Sequence, residues 1–211
     1  MKPAVFDMVR KMDINNIELQ LALQCAPVIA GIKISNLLII KTETLFLVLD
    51  ILKSSHFCYF LLKKDIDQTV ILLYNPEKMQ EYLGQKRVAA FLQQLGYEDC
   101  SSGRVLSVFR MRYLNYRGNL QEFPHEMGVL LGYPVEDVTG FMKNEGRDFL
   151  YTGYWKVYKN LAEKIPLFRS YELVKEQQIQ MIAEGIQMSE IIRWYGFIIS
   201  QIPRSKLRGM T

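Results

Sequence analysis

Residues 57–74 read FCYFLLKKDIDQTVILLY and decide the class of fold. Two short apolar runs rich in aromatic and β-branched residues, Phe57–Leu62 and Thr69–Tyr74, flank the polar segment 63–68. A parallel crossover needs roughly a dozen residues or more, so a connection this short predicts an antiparallel hairpin. The chain therefore contains a β element within a sequence whose other patterns are mostly helical.

A third strand is predicted over Thr152–Tyr158, where the residue types alternate. Tyr154 and Lys156 fall on one side of such a strand, and Trp155 and Val157 fall on the other. We expect the earlier hairpin to be its partner.

Helical spacing of apolar residues marks the rest of the chain. A first helix carries a stripe through Ile17, Leu21 and Cys25, which places the Cys25 thiol on the buried face. Pro124 and Pro134 each open a helix in the centre of the chain. The sequence thus predicts an α+β fold, a small antiparallel sheet of about three strands packed with about seven helices.

Composition suits one domain. The chain has 211 residues, of which 49% are hydrophobic and 23% are charged. A chain of this length can bury one core of ordinary size. We therefore predict a single domain over residues 1–211, with a helical C-terminal segment, residues 160–211, docked on it or lying at a dimer interface.

Charge argues against nucleic-acid binding. The formal net charge is only +4, and the basic residues are scattered apart from Arg204, Lys206 and Arg208 near the end, which we interpret as a solvated tail. Electrostatic binding to nucleic acid usually needs a denser basic face.

The most apolar region, Asn36–Leu62, does not predict a membrane span. Lys41, Glu43, Asp50 and Lys53 interrupt it, and each is costly at the centre of a bilayer. We therefore expect this region to be core, with no membrane partner.

The cysteines predict a reducing compartment. Cys25, Cys58 and Cys100 are widely spaced and form no CxxC pair, so neither a disulfide framework nor a metal site is indicated. We expect reduced thiols in a cytoplasm.

Three segments carry a further signal: Cys25–Pro27 reads CAP, Phe123–Pro134 reads FPHEMGVLLGYP and is followed by Asp137-Val138 and Phe141, and Gly153–Tyr158 reads GYWKVY. Together they resemble a bacterial family known as domain of unknown function 3793, over nearly the whole chain. The resemblance implies no activity, no cofactor and no role for any residue. The family pattern has a Lys-Pro pair after the glycine that follows Cys-Ala-Pro, whereas residues 31–34 here read GIKI, so we expect a differently shaped loop.

One hypothesis is a thiol-dependent enzyme. Cys25 would be the nucleophile, His125 its base and Glu126 an orienting carboxylate, because a thiolate at neutral pH needs a neighbouring imidazole or positive dipole. We favour the alternative that Cys25 is a buried core residue. It falls on an apolar stripe near a helix C-terminus, where the helix dipole opposes a thiolate.

His125 is the more informative of the two histidines. A helix N-terminus disfavours an imidazolium and keeps the ring neutral, as a base or a hydrogen-bond donor. Holding a loop is the favoured explanation. No second histidine lies at metal-binding spacing, so no metal is predicted.

The other hypothesis is a non-catalytic binding or accessory protein for a small anionic or aromatic ligand. Arg110 and Arg117 share a predicted helix face and suit an anion, while Tyr154 and Lys156 belong to the aromatic strand. Each also has an ordinary explanation, because helix arginines usually face water and strand aromatics usually pack a sheet. We favour this hypothesis over the enzyme, with the cofactor unknown.

The last predicted helix suggests a partner. It is apolar on nearly all sides, through Ile191, Trp194 and Ile198 among others, which suits docking on the domain or on a second copy. A homodimer through this helix is therefore one expectation.

Overall fold

The computed structural model describes residues 2–53, 55–117 and 122–201. These residues form ten α-helices, one 3-10 helix and five strands, which confirms the α+β prediction. They divide into two compact units: unit one is Met1–Asn75 with Arg169–Thr211, and unit two is Pro76–Phe168. That the whole chain is one domain stays a prediction.

Unit one contains the main sheet. Its elements are α1 (Pro3–Lys11), α2 (Ile17–Ile29), β1 (Ser35–Lys41), a 3-10 turn (Thr42–Thr44), α3 (Leu45–Leu52), β2 (Cys58–Lys64), β3 (Gln68–Tyr74), the part of α9 (Leu161–Ala183) from Arg169 onward, and α10 (Met188–Gln201).

The sheet is antiparallel with the strand order β1-β3-β2. The predicted hairpin is confirmed, with Cys58 opposite Tyr74 and Lys64 opposite Thr69. Residues 69–73 of the central strand are all buried, so both faces of β3 are covered. This explains why its sequence is a continuous apolar run rather than an alternation.

The predicted partner of residues 152–158 is wrong. The third strand of the sheet is β1, whereas Tyr151–Thr152 (β4) and Lys156–Val157 (β5) pair with each other in a sheet of two strands. The alternation is interrupted by a turn, in which the Gly153 amide donates to the Trp155 carbonyl at 3.1 Å. β1 was not predicted as a strand, because no turn residue separates its apolar residues from those of the next helix.

The outer edge of β1 is closed by α2. The Gln24 carboxamide donates to the Ile39 carbonyl at 3.0 Å and accepts from the Ile39 amide at 2.9 Å. Such a side chain satisfies the backbone as a neighbouring strand would, and it protects an edge that otherwise pairs with other chains.

The core of unit one confirms the predicted stripe of α2. Cys25 is fully buried, and α10 packs on α2 and α3 through buried residues that include Met188, Ile191 and Tyr195. The predicted basic tail, Arg204 to Arg208, lies outside the described residues.

Unit two is mainly helical. Its elements are α4 (Pro76–Leu83), α5 (Lys86–Gln94), α6 (Ser102–Arg117), α7 (Glu126–Leu130), α8 (Val135–Lys143), β4, β5 and the first turns of α9. The predicted boundaries of the second central helix are confirmed, because Pro134 directly precedes α8 and Gly146, with a φ of 72°, follows it. The predicted start of the first is wrong: α7 begins at Glu126, two residues after Pro124, because His125 is its N-cap.

Among the described residues, no helix is long and apolar enough to cross a membrane. The apolar region Asn36–Leu62 instead supplies β1, α3 and most of β2.

Candidate functional site

Asp137 organises the candidate site in unit two. This residue lies in the first turn of α8 and is 2% exposed. Its Oδ2 accepts from Trp155 Nε1 at 2.7 Å, and its Oδ1 accepts from the Tyr158 and Lys159 amides at 2.8 and 3.1 Å. A buried carboxylate is tolerated when donors surround it. The three bonds therefore fix the β4–β5 hairpin against α8.

Two glycines permit the close packing around Asp137. A Cβ atom at Gly140 would lie 2.5 Å from Cγ of Tyr158, so the Tyr158 ring rests directly on the backbone of α8. A Cβ atom at Gly128 would lie 2.8 Å from Val138 Cγ2, which shows how closely α7 approaches α8.

Glu126 faces the interior of unit two. It is 3% exposed, and its Oε1 accepts from the Tyr97 hydroxyl at 2.9 Å and from Arg112 Nη1 at 3.0 Å. Arg112 also donates to the Leu95 carbonyl at 2.7 Å. Burial and the Glu126 carboxylate raise the pKa of Tyr97, which keeps its hydroxyl protonated as a donor. These contacts anchor α7 to α6 and to the loop after α5.

A pocket of about 260 Å³ opens beside Asp137. Most of its wall is apolar, and four aromatic rings stand out. The Tyr133 and Trp155 rings are stacked, with centroids 4.8 Å apart and an angle of 26° between their planes. The aromatic wall consists of Phe123, Tyr133, Phe141 and Trp155, and the polar side chains besides Asp137 are His125 and Lys156.

His125 is half-buried between two rings of this wall. Its centroid lies 5.3 Å from that of Phe123 and 5.8 Å from that of Phe141. Its ring makes no capping bond to α7, although it directly precedes that helix. His125 thus lines the pocket without capping α7, and its predicted roles as a base or loop anchor stay predictions.

Lys156 is fixed at the same pocket. Its Nζ donates to the Gly146 carbonyl at 2.6 Å and lies 4.8 Å from the ring centre of Phe149. The ring centre of Phe141 is 5.8 Å away. The ammonium is therefore held by a carbonyl and two aromatic rings.

The remaining predicted ligand residues lie elsewhere in unit two. Arg110 and Arg117 are exposed on α6 and do not line the pocket, and Tyr154 packs on Phe168 with ring centroids 5.8 Å apart. The pocket thus brings together His125 and Lys156 of the predicted residues. Ligand binding by Arg110, Arg117 and Tyr154 stays a prediction.

Sequence reasoning missed Asp137 and Phe141 as site residues. Their spacing of four on α8 was a usable signal, since it places both side chains on one helix face. An acid in the first turn of a helix is already explained by the helix dipole, so its residue type and place gave no sign of a site.

A second pocket, of about 310 Å³, lies in unit one. Its lining includes Asn15, Gln20, Lys41 and Asp67, and the lining residues include no aromatic ring. It offers less stacking surface than the pocket of unit two.

Cys25 is an unfavourable nucleophile. It belongs to unit one, whereas His125 belongs to unit two. Burial raises the pKa of Cys25 to about 12, and the nearby Lys33 opposes this shift only in part. The reactive form of cysteine is the thiolate, which such a pKa disfavours at neutral pH. The pairing of Cys25 with His125 stays a prediction.

Lys33 is a buried cation beside Cys25. It is 6% exposed, and its Nζ donates to Asn36 Oδ1. Burial lowers the pKa of Lys33 to about 8.

The fold and the pocket define an α+β protein with an aromatic-walled site formed by a short helix, a second helix and a tight hairpin. The chain belongs to the family described as Protein of unknown function (DUF3793), whose sequence profile matches residues 21–192. The matched span includes all of unit two. Neither the curated proteins nor the solved structures contain a match to the chain.

Among the residues that the structure describes, no group of three or more His, Cys, Asp or Glu side chains is arranged to hold a metal ion.

We predict that Asp137→Asn destabilises unit two by about 2–3 kcal/mol, because the new amide presents a donor to buried N–H groups and leaves one unsatisfied. Urea unfolding in a Trp194→Phe background, where Trp155 is the sole emitting tryptophan, measures this change. Asp148→Asn is the matched control, since Asp148 is exposed and its φ of 56° suits asparagine. Equal destabilisation by the two changes would contradict the assigned role of Asp137.

A second prediction concerns pH. The pKa of Lys33 is lower in the folded chain than its ordinary 10.5. The unfolded chain therefore binds more protons between pH 8 and 10.5, and the contribution of Lys33 to stability rises with pH across this window. At pH 7, Lys33→Met is expected to be more stable than the wild type by up to about 3 kcal/mol.

This stability difference between Lys33→Met and the wild type should shrink as the pH rises from 8 to 10.5, as measured by urea unfolding. Lys53→Met, at an exposed position, is the control and should follow the wild type. A difference independent of pH would show that the Lys33 ammonium is not penalised by burial.

Proposed function

We propose that this chain is a non-catalytic binding or accessory protein of the bacterial cytoplasm, and that its unit two binds a small aromatic ligand. The observation that carries the proposal is the pocket whose walls are Phe123, Tyr133, Phe141 and Trp155. Aromatic pairs contribute about 0.5–1.5 kcal/mol beyond the burial of their area, so such walls favour a flat aromatic ring.

The size of the pocket limits the ligand. At about 260 Å³ it is slightly smaller than typical ligand pockets, which measure roughly 300–1,000 Å³. One ring or two fused rings is therefore the expected size. Because Asp137 holds Trp155 in place, little ordering of the wall is needed when a ligand binds.

The burial and hydrogen bonding of two carboxylates, Asp137 and Glu126, support binding rather than catalysis. Asp137 and Glu126 are both buried and both accept hydrogen bonds from side chains or amides of unit two. A general acid or base must reach the reacting atom, and these groups are occupied by internal donors. The thiol-dependent alternative has less support, because burial raises the pKa of Cys25.

The proposed cytoplasmic location is supported by the cysteines. Cys25, Cys58 and Cys100 are all free, as expected in a reducing compartment.

Ligand binding is tested with the intrinsic fluorescence of the pocket. The chain has two tryptophans, so Trp194→Phe leaves Trp155 as the sole reporter. Benzoate, benzamide and benzyltrimethylammonium are the probes, and cyclohexanecarboxylate is their saturated control. We expect at least one aromatic probe to change the Trp155 emission saturably, with a Kd of roughly 1 mM or below, and the saturated acid to act more weakly.

Trp155→Phe, with Trp194 retained, should show no such change. The proposed function is wrong if none of the three aromatic probes produces a saturable response in a protein whose circular dichroism matches the wild type.

Partnering is a separate proposal: a homodimer through the C-terminal helix. The outward face of α10 exposes Trp194, Phe197 and Ile198, with 48%, 66% and 37% of their surface accessible. Light scattering should detect a dimer that Phe197→Glu dissociates. Ile66→Glu is the control, since Ile66 is 93% exposed in the turn between β2 and β3. A wild-type chain that is monomeric at every concentration would refute the dimer.

A further inference from the structure

We infer that the ligand of the aromatic pocket is an aromatic anion, and that Lys156 is the residue that selects its charge. The inference rests on the proposed binding function and adds the chemical class of the ligand. It follows from how the charges around the pocket are paired.

The charge of Lys156 is held in place without being neutralised. Its partners are the carbonyl of Gly146 and the rings of Phe149 and Phe141. Among the described residues, no carboxylate lies within ion-pair distance of its Nζ, whereas Lys164 of the same unit pairs with Glu136 at 3.5 Å. A carbonyl and aromatic faces attract an ammonium but leave its full charge for a ligand.

The position of Gly146 explains why the ammonium is fixed there. Gly146 follows α8, and its amide closes the helix by donating to the Phe141 carbonyl at 2.9 Å. Gly146 lies beyond the last helical residue, Lys143, so its carbonyl takes no part in the hydrogen bonds of the helix and accepts from the Lys156 ammonium. A Cβ atom at Gly146 would lie 3.4 Å from Lys156 Nζ and 3.0 Å from the Phe141 ring, so glycine suits this close approach.

The Lys156 ammonium has N–H groups left to donate to a ligand. A lysine carries three N–H groups, and the Gly146 carbonyl is the acceptor that the described residues provide. A ligand carboxylate at the pocket would form a charge-assisted bond with this group, and such bonds are about twice as strong as neutral ones. His125 adds ring nitrogens at the same pocket.

The carboxylate of Asp137 also lines the pocket, so the opposite charge preference must be weighed. An aromatic wall with one acidic group is the kind of site that binds quaternary ammonium ions. Here, however, both Asp137 oxygens already accept bonds, from Trp155 and from the Tyr158 and Lys159 amides. Three of the roughly four acceptor positions of this carboxylate are thus used by internal donors. A cation would meet an acceptor mostly occupied in this way and the repulsion of Lys156, whereas an anion would meet N–H groups of Lys156 that have no acceptor among the described residues.

The decisive experiment is calorimetric titration of the full chain with three probes that share a benzene ring and differ in charge, of which the first two also share their planar shape. These are benzoate, benzamide and benzyltrimethylammonium. We expect benzoate to bind about ten-fold more tightly than benzamide, and the cation to bind least. Salt should weaken the binding of benzoate and leave that of benzamide nearly unchanged, a test that needs no variant.

Lys156→Met keeps the apolar stem and removes the charge. It should abolish the preference for benzoate over benzamide, while Lys156→Arg should keep it. Lys143→Met is the matched control, because Lys143 is exposed on α8 and does not line the pocket. Circular dichroism of each variant reports the fold.

Equal binding of benzoate and benzamide by the wild type would overturn the inference and leave the proposed function standing. Tightest binding of the cation would overturn it in favour of a quaternary ammonium site. If none of the three probes binds, the proposed function itself is refuted.

Discussion

The arrangement of unit two depends on one buried carboxylate. Moving an ion from water into a protein interior costs several kcal/mol unless hydrogen bonds replace its hydration. Asp137 obtains these bonds from Trp155 and from the backbone that follows β5, so the hairpin can pack on α8 in one way. The stacked wall of Tyr133 and Trp155 follows from that constraint, and so does the place of Lys156, the neighbour of Trp155 in the chain.

Neighbouring residues of the segment Phe123–Pro134 have different environments. Glu126 points into unit two, where Tyr97 and Arg112 bind it, and it thereby fixes the start of α7. His125, one position earlier, lies between aromatic rings at the pocket. The start of α7 thus presents the anchoring carboxylate of Glu126 to the interior of unit two, and the residue before it presents an imidazole to the pocket. Folding accounts for Glu126, whereas the His125 ring lines the pocket between Phe123 and Phe141.

Local features made much of the fold predictable. The length of the connection between β2 and β3 was enough to predict an antiparallel hairpin, and Pro134 and Gly146 predicted the bounds of α8. The partner of β1 could not be predicted in this way. Strand pairing between distant segments depends on which faces are covered, and the Gln24 carboxamide closes the edge of β1 through a contact that no short pattern encodes. More helices form than predicted, partly because α1 has no buried residue to mark it.

The site was also predictable only in part, because it too depends on contacts between distant segments of the chain. His125 and Lys156 were singled out by residue type, and the pocket contains both. Asp137 was not, because an acid in the first turn of a helix already has an explanation in the helix dipole. Its bonds to residues 18 to 22 positions later exist only in the folded chain.

The most direct test of the account is to locate a bound probe by chemical-shift perturbation in isotope-labelled protein. Titration with benzoate should move the indole N–H signal of Trp155 and the amide signals near His125 and Gly146, and leave those of unit one in place. Shifts centred instead on Asn15, Gln20 and Lys41, at the second pocket, would contradict the central claim that the Asp137-organised pocket is the binding site.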